Sequence, residues 1–442
     1  MDTIETKSAS LRPVKPRMSL SASAAGRWWL AGAALLLLGA LPAEAVKRRA
    51  FVTSVSGTGD LGSWPDAGAA TGLAAGNAIC RARATAAGLP NANTYRAWLS
   101  SETTDAYCHL RGQTGEKFSC AGGSPLAAGP WFLVNGVTNF TGTLDELVST
   151  NPKIFRPVLF DEFGNDLPEA IEERTYWTGT GTDGKQFNSG PFHCSGWTSG
   201  VDGSSAPRGD GLGTAATWTL GGFMPSCSTS MRLLCFEPGE SETTTLRWSA
   251  GSPVFITSAF GSGDLSSWTG AAGESGLAAG DAICSSAAAT AHLPDPDSFV
   301  AWLSTSSIDA RDRVTSDGPF RRLDAYIVAG GKDDLTDGSI DTSIHVDEHG
   351  NYLTGTPEVA TGTLADGTAS GLDCLDWTSA DVSDDHTGGR PNYARLPDWT
   401  EFSLAIGCNG NRRLYCFSNR IVLFWDGFER GGDTSHWSST VP

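Results

Sequence analysis

The chain has 442 residues, too many for one ordinary domain, and 18% of them are charged, with a formal net charge of −18. No cluster of Lys and Arg interrupts that acidic surface, which argues against nucleic acid, heparin-like glycans and anionic lipid as partners.

Residues 1–45 read as a signal peptide. Arg12, Lys15, Arg17 and Arg27 precede an apolar run over 28–41, and Ala43-Glu44-Ala45 supplies a small-residue cleavage pattern. Met1 and Met18 are both available as the start. The run is short for a membrane span, and no second apolar stretch of spanning length follows. The expectation is therefore an exported chain, secreted or on the cell envelope surface, with no membrane span in its mature form. The leader holds five basic and three acidic residues, so its removal leaves −20. All ten cysteines lie beyond it, and in an oxidising compartment they read as a disulfide framework.

Past the leader the chain is a duplication. Phe51-Val-Thr-Ser54, then Asp60-Leu61 with Trp64, then Gly72-Leu-Ala-Ala-Gly-Asn-Ala-Ile-Cys80 return as Phe255-Ile-Thr-Ser258, Asp264-Leu265 with Trp268, and Gly276-Leu-Ala-Ala-Gly-Asp-Ala-Ile-Cys284. The copies close on Arg232-Leu-Leu-Cys235-Phe236 and Arg413-Leu-Tyr-Cys416-Phe417. The resulting division is a first unit over 46–237, a polar linker over 238–252, a second unit over 253–420 and a tail over 421–442. The period is far longer than that of a solenoid. Each unit is an internal control for the other: a residue in both builds the fold, and one in a single copy is private to it.

In chain order, each unit opens with a short strand, 51–54 or 254–258, that enters a Gly/Ser/Asp loop. A helix follows over 72–87, with Leu73, Gly76, Cys80, Ala84 and Ala87 on one face, and Gly88 and Pro90 stop it. Its counterpart repeats Leu277, Gly280, Cys284, Ala288 and Ala291. Strands over 95–99 and 299–303 come next. Short Trp/Thr-rich strands then lie around Trp177, Trp197 and Trp377, between Gly, Asp and Asn turns. Helices early and strands late make each unit α+β. The shared cysteines are Cys80, Cys194, Cys227 and Cys235, then Cys284, Cys374, Cys408 and Cys416; spacing leaves three pairings open in each set of four. Cys108 and Cys120 fall where the first unit is longer.

The pattern resembles an exported bacterial family known as domain of unknown function 1554. The residues that carry the resemblance are Tyr176-Trp-Thr-Gly179, Cys194-Ser-Gly-Trp197-Thr-Ser199 and Arg232-Leu-Leu-Cys235-Phe-Glu237, together with the repeated openings. The second unit departs from it: Thr361-Gly362-Thr363 stands near the missing Tyr-Trp-Thr-Gly element, and the ending is Cys416-Phe-Ser418. The match covers both units, about four-fifths of the chain. That family is similar to endostatin and so to the C-type-lectin-like fold. The resemblance implies two tandem C-type-lectin-like (endostatin-like) domains with mostly antiparallel strands. It also implies nested disulfides, Cys80–Cys235 around Cys194–Cys227 and Cys284–Cys416 around Cys374–Cys408, with Cys108–Cys120 closing a local hairpin. Loops this long gain about 4 to 5 kcal/mol at most for each outer bond in the chain-entropy account.

Three patterns invite a chemical reading, and a fourth is absent. His345-Val-Asp-Glu348-His349 fits a zinc-peptidase spacing, which needs both imidazoles on one helical face. The first unit has Leu159-Phe-Asp161-Glu162-Phe163 there, and Gly350-Asn351 marks a turn, so a hairpin is expected instead. Gly57-Thr-Gly59-Asp-Leu-Gly62 matches a dinucleotide loop, but its partner ends in Ser266 and no βαβ unit surrounds it. No G-x-S-x-G elbow and no histidine shared by both units support a hydrolase. Acids crowd the second unit, at Asp337, Asp341 and Asp376 among others, and offer calcium a possible cage, although EF-hand spacing fails at Leu335.

Paired tryptophans Trp64/Trp268, Trp98/Trp302 and Trp197/Trp377 are expected to fill cores. Trp131, without an evident counterpart, is the candidate ligand-facing aromatic. The tail, with Trp425-Asp-Gly-Phe428-Glu429, looks like a sorting or docking segment shared by unrelated exported proteins. The expected function is non-enzymatic: binding or adhesion to an extracellular protein or glycan through variable loops, with no cofactor beyond a possible Ca2+. The alternatives are a metal-dependent hydrolase using His345, Glu348 and His349, and a structural envelope protein.

Overall fold

The computed structural model describes residues 46–423, apart from 244, 245 and 247. The expected signal peptide and the tail from 424 onward lie outside the described residues.

Both units build the same central sheet, because both begin and end on fully buried β-formers. In the first, Arg48–Val52 pairs antiparallel with Arg232–Phe236, Phe51 facing Cys235, and parallel with Trp131–Leu133. In the second, Ser252–Ile256 pairs antiparallel with Tyr415–Ser418, Phe255 facing Cys416, and parallel with Phe320–Arg322. The register is identical in the two. The opening and closing strands of a unit therefore lie side by side. The units differ at the sheet's far side: Thr175–Trp177 and Arg208–Asp210 extend the first sheet to seven strands, whereas the second has five, with Val359–Ala360, Asp385–Gly389 and Ser403–Gly407 as a separate group.

The long helices are Gly72–Ala86 and Gly276–Thr290. A mid-helix glycine normally costs stability, and here close approach explains it. A Cβ on Gly76 would lie 2.8 Å from Leu99 Cδ1, and one on Gly280 2.8 Å from Leu303 Cδ1. The next residue ties helix to strand. Asn77 Oδ1 accepts from Ala97 N at 3.0 Å, and Asp281 Oδ1 accepts from Ala301 N at 2.9 Å. The cysteine on each helix reaches the closing strand, and the pairing is nested: Cys80–Cys235 outside Cys194–Cys227, and Cys284–Cys416 outside Cys374–Cys408. Cys108–Cys120 closes a separate loop. Mixed helix and strand with five disulfides make the chain an α+β, disulfide-bonded protein. Among the described residues no helix is long and apolar enough to cross a membrane.

The segments around Trp197 and Trp377 are not the short strands the sequence leads one to expect. Each is a single left-handed turn, with φ of +50°, +54°, +68° and +67° over Cys194–Trp197 and +52°, +54°, +53° and +63° over Cys374–Trp377. Such backbone is costly for L-residues, and three fixtures hold it. The disulfide anchors its first residue. His193 Nδ1 or Asp373 Oδ1 accepts from the backbone N–H of Gly196 or Asp376. The indole N–H of Trp197 or Trp377 donates to the carbonyl of Ser100 or Ser304.

Candidate functional site at the junction of the two units

The two units are packed into one another. A single apolar cluster contains Trp98, Trp131, Leu212 and Trp218 of the first unit together with Tyr393 and Leu396 of the second. Thr214 N donates to the Asn392 carbonyl at 2.8 Å, and Asn392 Nδ2 donates to Thr217 Oγ1 at 2.9 Å. Phe155 stacks on Tyr326 with centroids 5.2 Å apart and planes 13° from parallel.

The zinc-like motif belongs to this junction. His345 is fully buried and follows no helix; Val346 bridges Tyr352 across the turn. Arg322 has only protons to give, so its Nη1, 3.0 Å away, makes His345 Nδ1 an acceptor. The ring's proton therefore sits on Nε2, which donates to the Ile154 carbonyl of the first unit at 2.9 Å. Burial, reinforced by the Arg322 guanidinium, pushes the imidazole down to about 3, so it is neutral. Arg322, also fully buried, donates to Asp324 through Nε at 2.8 Å and Nη2 at 2.7 Å, and Nη2 reaches the Phe155 carbonyl at 2.8 Å. Burial works against the charges of this pair, but their mutual attraction outweighs it: Asp324 is held below, and Arg322 above, its ordinary range.

Glu348 is committed elsewhere, accepting from Ser258 N at 2.7 Å and from Ser258 Oγ. Glu162 does the same in the first unit, with Ser54 N at 2.8 Å and Arg83 Nε at 2.7 Å. Asp347 accepts from His349 N and Asn351 N, as Asp161 does from Phe163 N and Asn165 N. The shared Asp-Glu-x-Gly-Asn is thus a turn whose glutamate pins the serine of Phe-Val/Ile-Thr-Ser. The two imidazoles do not share a helical face. The motif is a turn, as Gly350-Asn351 leads one to expect, and His345 adds a clip between the units.

The glycine motif is likewise steric. A Cβ on Gly57 would collide with the Trp64 indole and one on Gly59 with Cys194 Sγ; Gly261 and Gly263 meet Trp268 and Cys374 in the same way.

Trp131 is corrected from a ligand-facing aromatic to core. It is fully buried, donates from Nε1 to the Glu237 carbonyl at 2.9 Å and packs edge-on against Phe236. Its counterpart is Phe320, edge-on against Phe417, which sequence comparison missed because the aromatic type changes. A fourth tryptophan pair was missed as well: Trp218 and Trp399 pack on Trp98 and Trp302 at 5.1 and 5.3 Å.

The candidate acids are not gathered. Asp337 accepts from Ser339, Asp341 lies 3.7 Å from Arg395, and Asp376 is exposed on the left-handed turn. Among the described residues the one group of three ligand-type side chains is Cys374, His386 and Cys408. Those sulfurs are bonded to each other, so neither is a thiolate. His386 is a ring filler. In the first unit Trp177 packs on Trp197 at 6.0 Å with Ala206 nearby in the core; in the second, Ala360 replaces Trp177 and His386 packs on Trp377 at 5.9 Å.

Open space occurs along the seam. Among the described residues, clefts of about 310, 280, 230 and 440 Å3 each take lining residues from both units. The second and fourth share Thr150 and Thr354, with Trp218 in the wall of one and Tyr352 in that of the other. Clefts of this size accept small ligands or the end of a larger one. No family model matches the chain, and no curated protein matches it.

Proposed function

We propose that the protein is an exported, non-enzymatic binding or adhesion protein whose two C-type-lectin-like units act as one rigid body toward an extracellular glycan or protein. The observation that carries this reading is the junction: among the described residues, clefts lined jointly by the two units run along it, on a scaffold clipped by five disulfides. Rigid scaffolds that present clefts and loops suit recognition. Of the residues that suggested catalysis, His345 and Glu348 are engaged in structural hydrogen bonds, and the exposed His349 ring lies 3.6 Å from Glu348. The lectin-like assignment is supported by the adjacent opening and closing strands, the nested disulfides and the motif resemblance. Export is supported by the leader and the cysteines.

The test is a glycan array and a surface-protein pull-down with the whole mature chain. The reading expects ligand capture that survives chelation and leaves the ligand chemically intact. Chelator-sensitive hydrolysis of the captured ligand would overturn it in favour of the metal-dependent hydrolase.

A further inference from the structure

The cleft of about 310 Å3 is lined by Val137, Thr138, Asn139 and Arg156 of the first unit, Leu246 and Ser249 of the linker, and Arg321, Ala325, Tyr326 and Ile327 of the second. The chain carries 49 acidic against 31 basic residues, yet this lining holds two arginines and no carboxylate. Arg321 is oriented by neutral partners: Nε donates to the Ala250 carbonyl at 3.3 Å and Nη1 to the Ala325 carbonyl at 3.0 Å. Its stem lies against Gly251, where a Cβ would come within 2.9 Å of Arg321 Cδ. Arg156 Nε is buried and has no hydrogen-bond partner among the described residues, and its guanidinium lies 5.7 Å from the Tyr326 ring centre. Asp341 is within electrostatic reach of Arg156, but no carboxylate lines the cleft, so the two guanidiniums leave it cationic and complementary to an anion.

The other lining groups narrow the anion. Thr138, Asn139 and Ser249 offer hydroxyl and amide groups, and Tyr326, Ala325 and Ile327 offer apolar surface. That combination suits a small ring that bears a carboxylate, several hydroxyls and an apolar face. We propose that this cleft binds an acidic sugar, a hexuronate or a sialic acid, free or at the end of a glycan, through Arg156 and Arg321. The proposal rests on the binding reading above and assigns it a site and a ligand class.

The experiment is calorimetric titration of the whole chain with D-glucuronate, D-galacturonate and N-acetylneuraminate, with glucose, acetate and benzoate as controls. At least one acidic sugar binds saturably, weakens with rising salt, and outcompetes all three controls. Arg156→Gln and Arg321→Gln each weaken it about tenfold or more. Arg321→Lys, which keeps the charge and lets the chain fold, retains part of the affinity. Melting curves of the variants confirm folding; Arg156→Gln removes the contact with the Tyr326 ring but no side-chain hydrogen bond among the described residues. The proposal is overturned if none of the three sugars binds, if binding is indifferent to both arginines, or if acetate or benzoate binds as well. Loss of acidic-sugar binding with array or pull-down capture intact removes this site alone; loss of all capture removes the binding reading with it.

Discussion

His345 in the second unit donates to the Ile154 carbonyl in the first, a hydrogen bond that joins residues 191 positions apart. At the matching position the first unit has Leu159, and at the position of Arg322 it has Leu133. The polar clip is therefore present in one copy only, at the face where it meets the other. His345→Leu removes the bond and leaves a buried carbonyl unpaired, a loss of about 1 to 3 kcal/mol. Arg322→Leu strands Asp324 and costs more, about 3 kcal/mol. Urea unfolding followed by tryptophan fluorescence reads both.

A second pair of positions changed charge together. In the first unit Asn77 Oδ1 meets His109 Nε2 at 3.0 Å; in the second, Asp281 Oδ1 accepts from Arg313 Nη2 at 2.5 Å. Asp281→Asn alone is expected to cost about 1 to 2 kcal/mol, because the ion pair with Arg313 becomes a bond from the guanidinium to a neutral amide oxygen. The double change Asp281→Asn with Arg313→His recreates the first unit's pair and recovers most of the loss. A double-mutant cycle measures this; additivity of the single changes would contradict the coupling.

Among the described residues four histidines are buried, and acid stability follows chiefly from three of them; burial lowers His193 in the same direction, against the opposing pull of Glu102. Burial comes first in holding His109 and His345 down to about 3 and His386 to about 4, with Arg96, Arg322 and Arg412 adding to it in turn. The folded state resists protonation, whereas the unfolded chain takes up protons near pH ~6.5. Their stabilisation is complete above that value and is lost as pH falls from it through about 4 and 3. Each histidine adds at most ~1.4 kcal/mol per pH unit to the slope. His345→Leu should flatten stability against pH across this window, and an unchanged slope would contradict the assignment.

The disulfide Cys374–Cys408 beside His386 predicts an oxidised, metal-free core. Denatured protein should show no reactive thiol, and elemental analysis no stoichiometric zinc. His386→Ala opens a void against Trp377 and destabilises by about 2 to 4 kcal/mol. Placing tryptophan at Ala360 in that background, as the first unit has at Trp177, should recover part of it.

The repeat made much of the scaffold legible, because a position kept twice is under the same packing demand twice. Gly76 and Gly280, the eight shared cysteines and Trp98 with Trp302 are of this kind. Positions that exchange roles were not legible. Trp131 and Phe320 fill one site with different rings, and Trp177 with Ala206 trade places with Ala360 and His386. The left-handed turn escaped notice because only Gly196, and not Asp376, advertises positive φ. The junction was hidden for a deeper reason. Its residues are private to one copy by necessity, since each unit presents a different face to the other, and comparing the copies sorts such residues with drift. That is also why His345 read as either a metal ligand or noise, and why Arg156 and Arg321 drew no attention.

Calorimetric unfolding of residues 46–423 tests the central claim, that the two units form one body with the site between them. The shared core of Trp218, Tyr393 and Leu396 and the His345–Ile154 bond predict a single transition, with calorimetric and van't Hoff enthalpies equal. Two transitions, each matching one unit and neither shifted by His345→Leu, would contradict it.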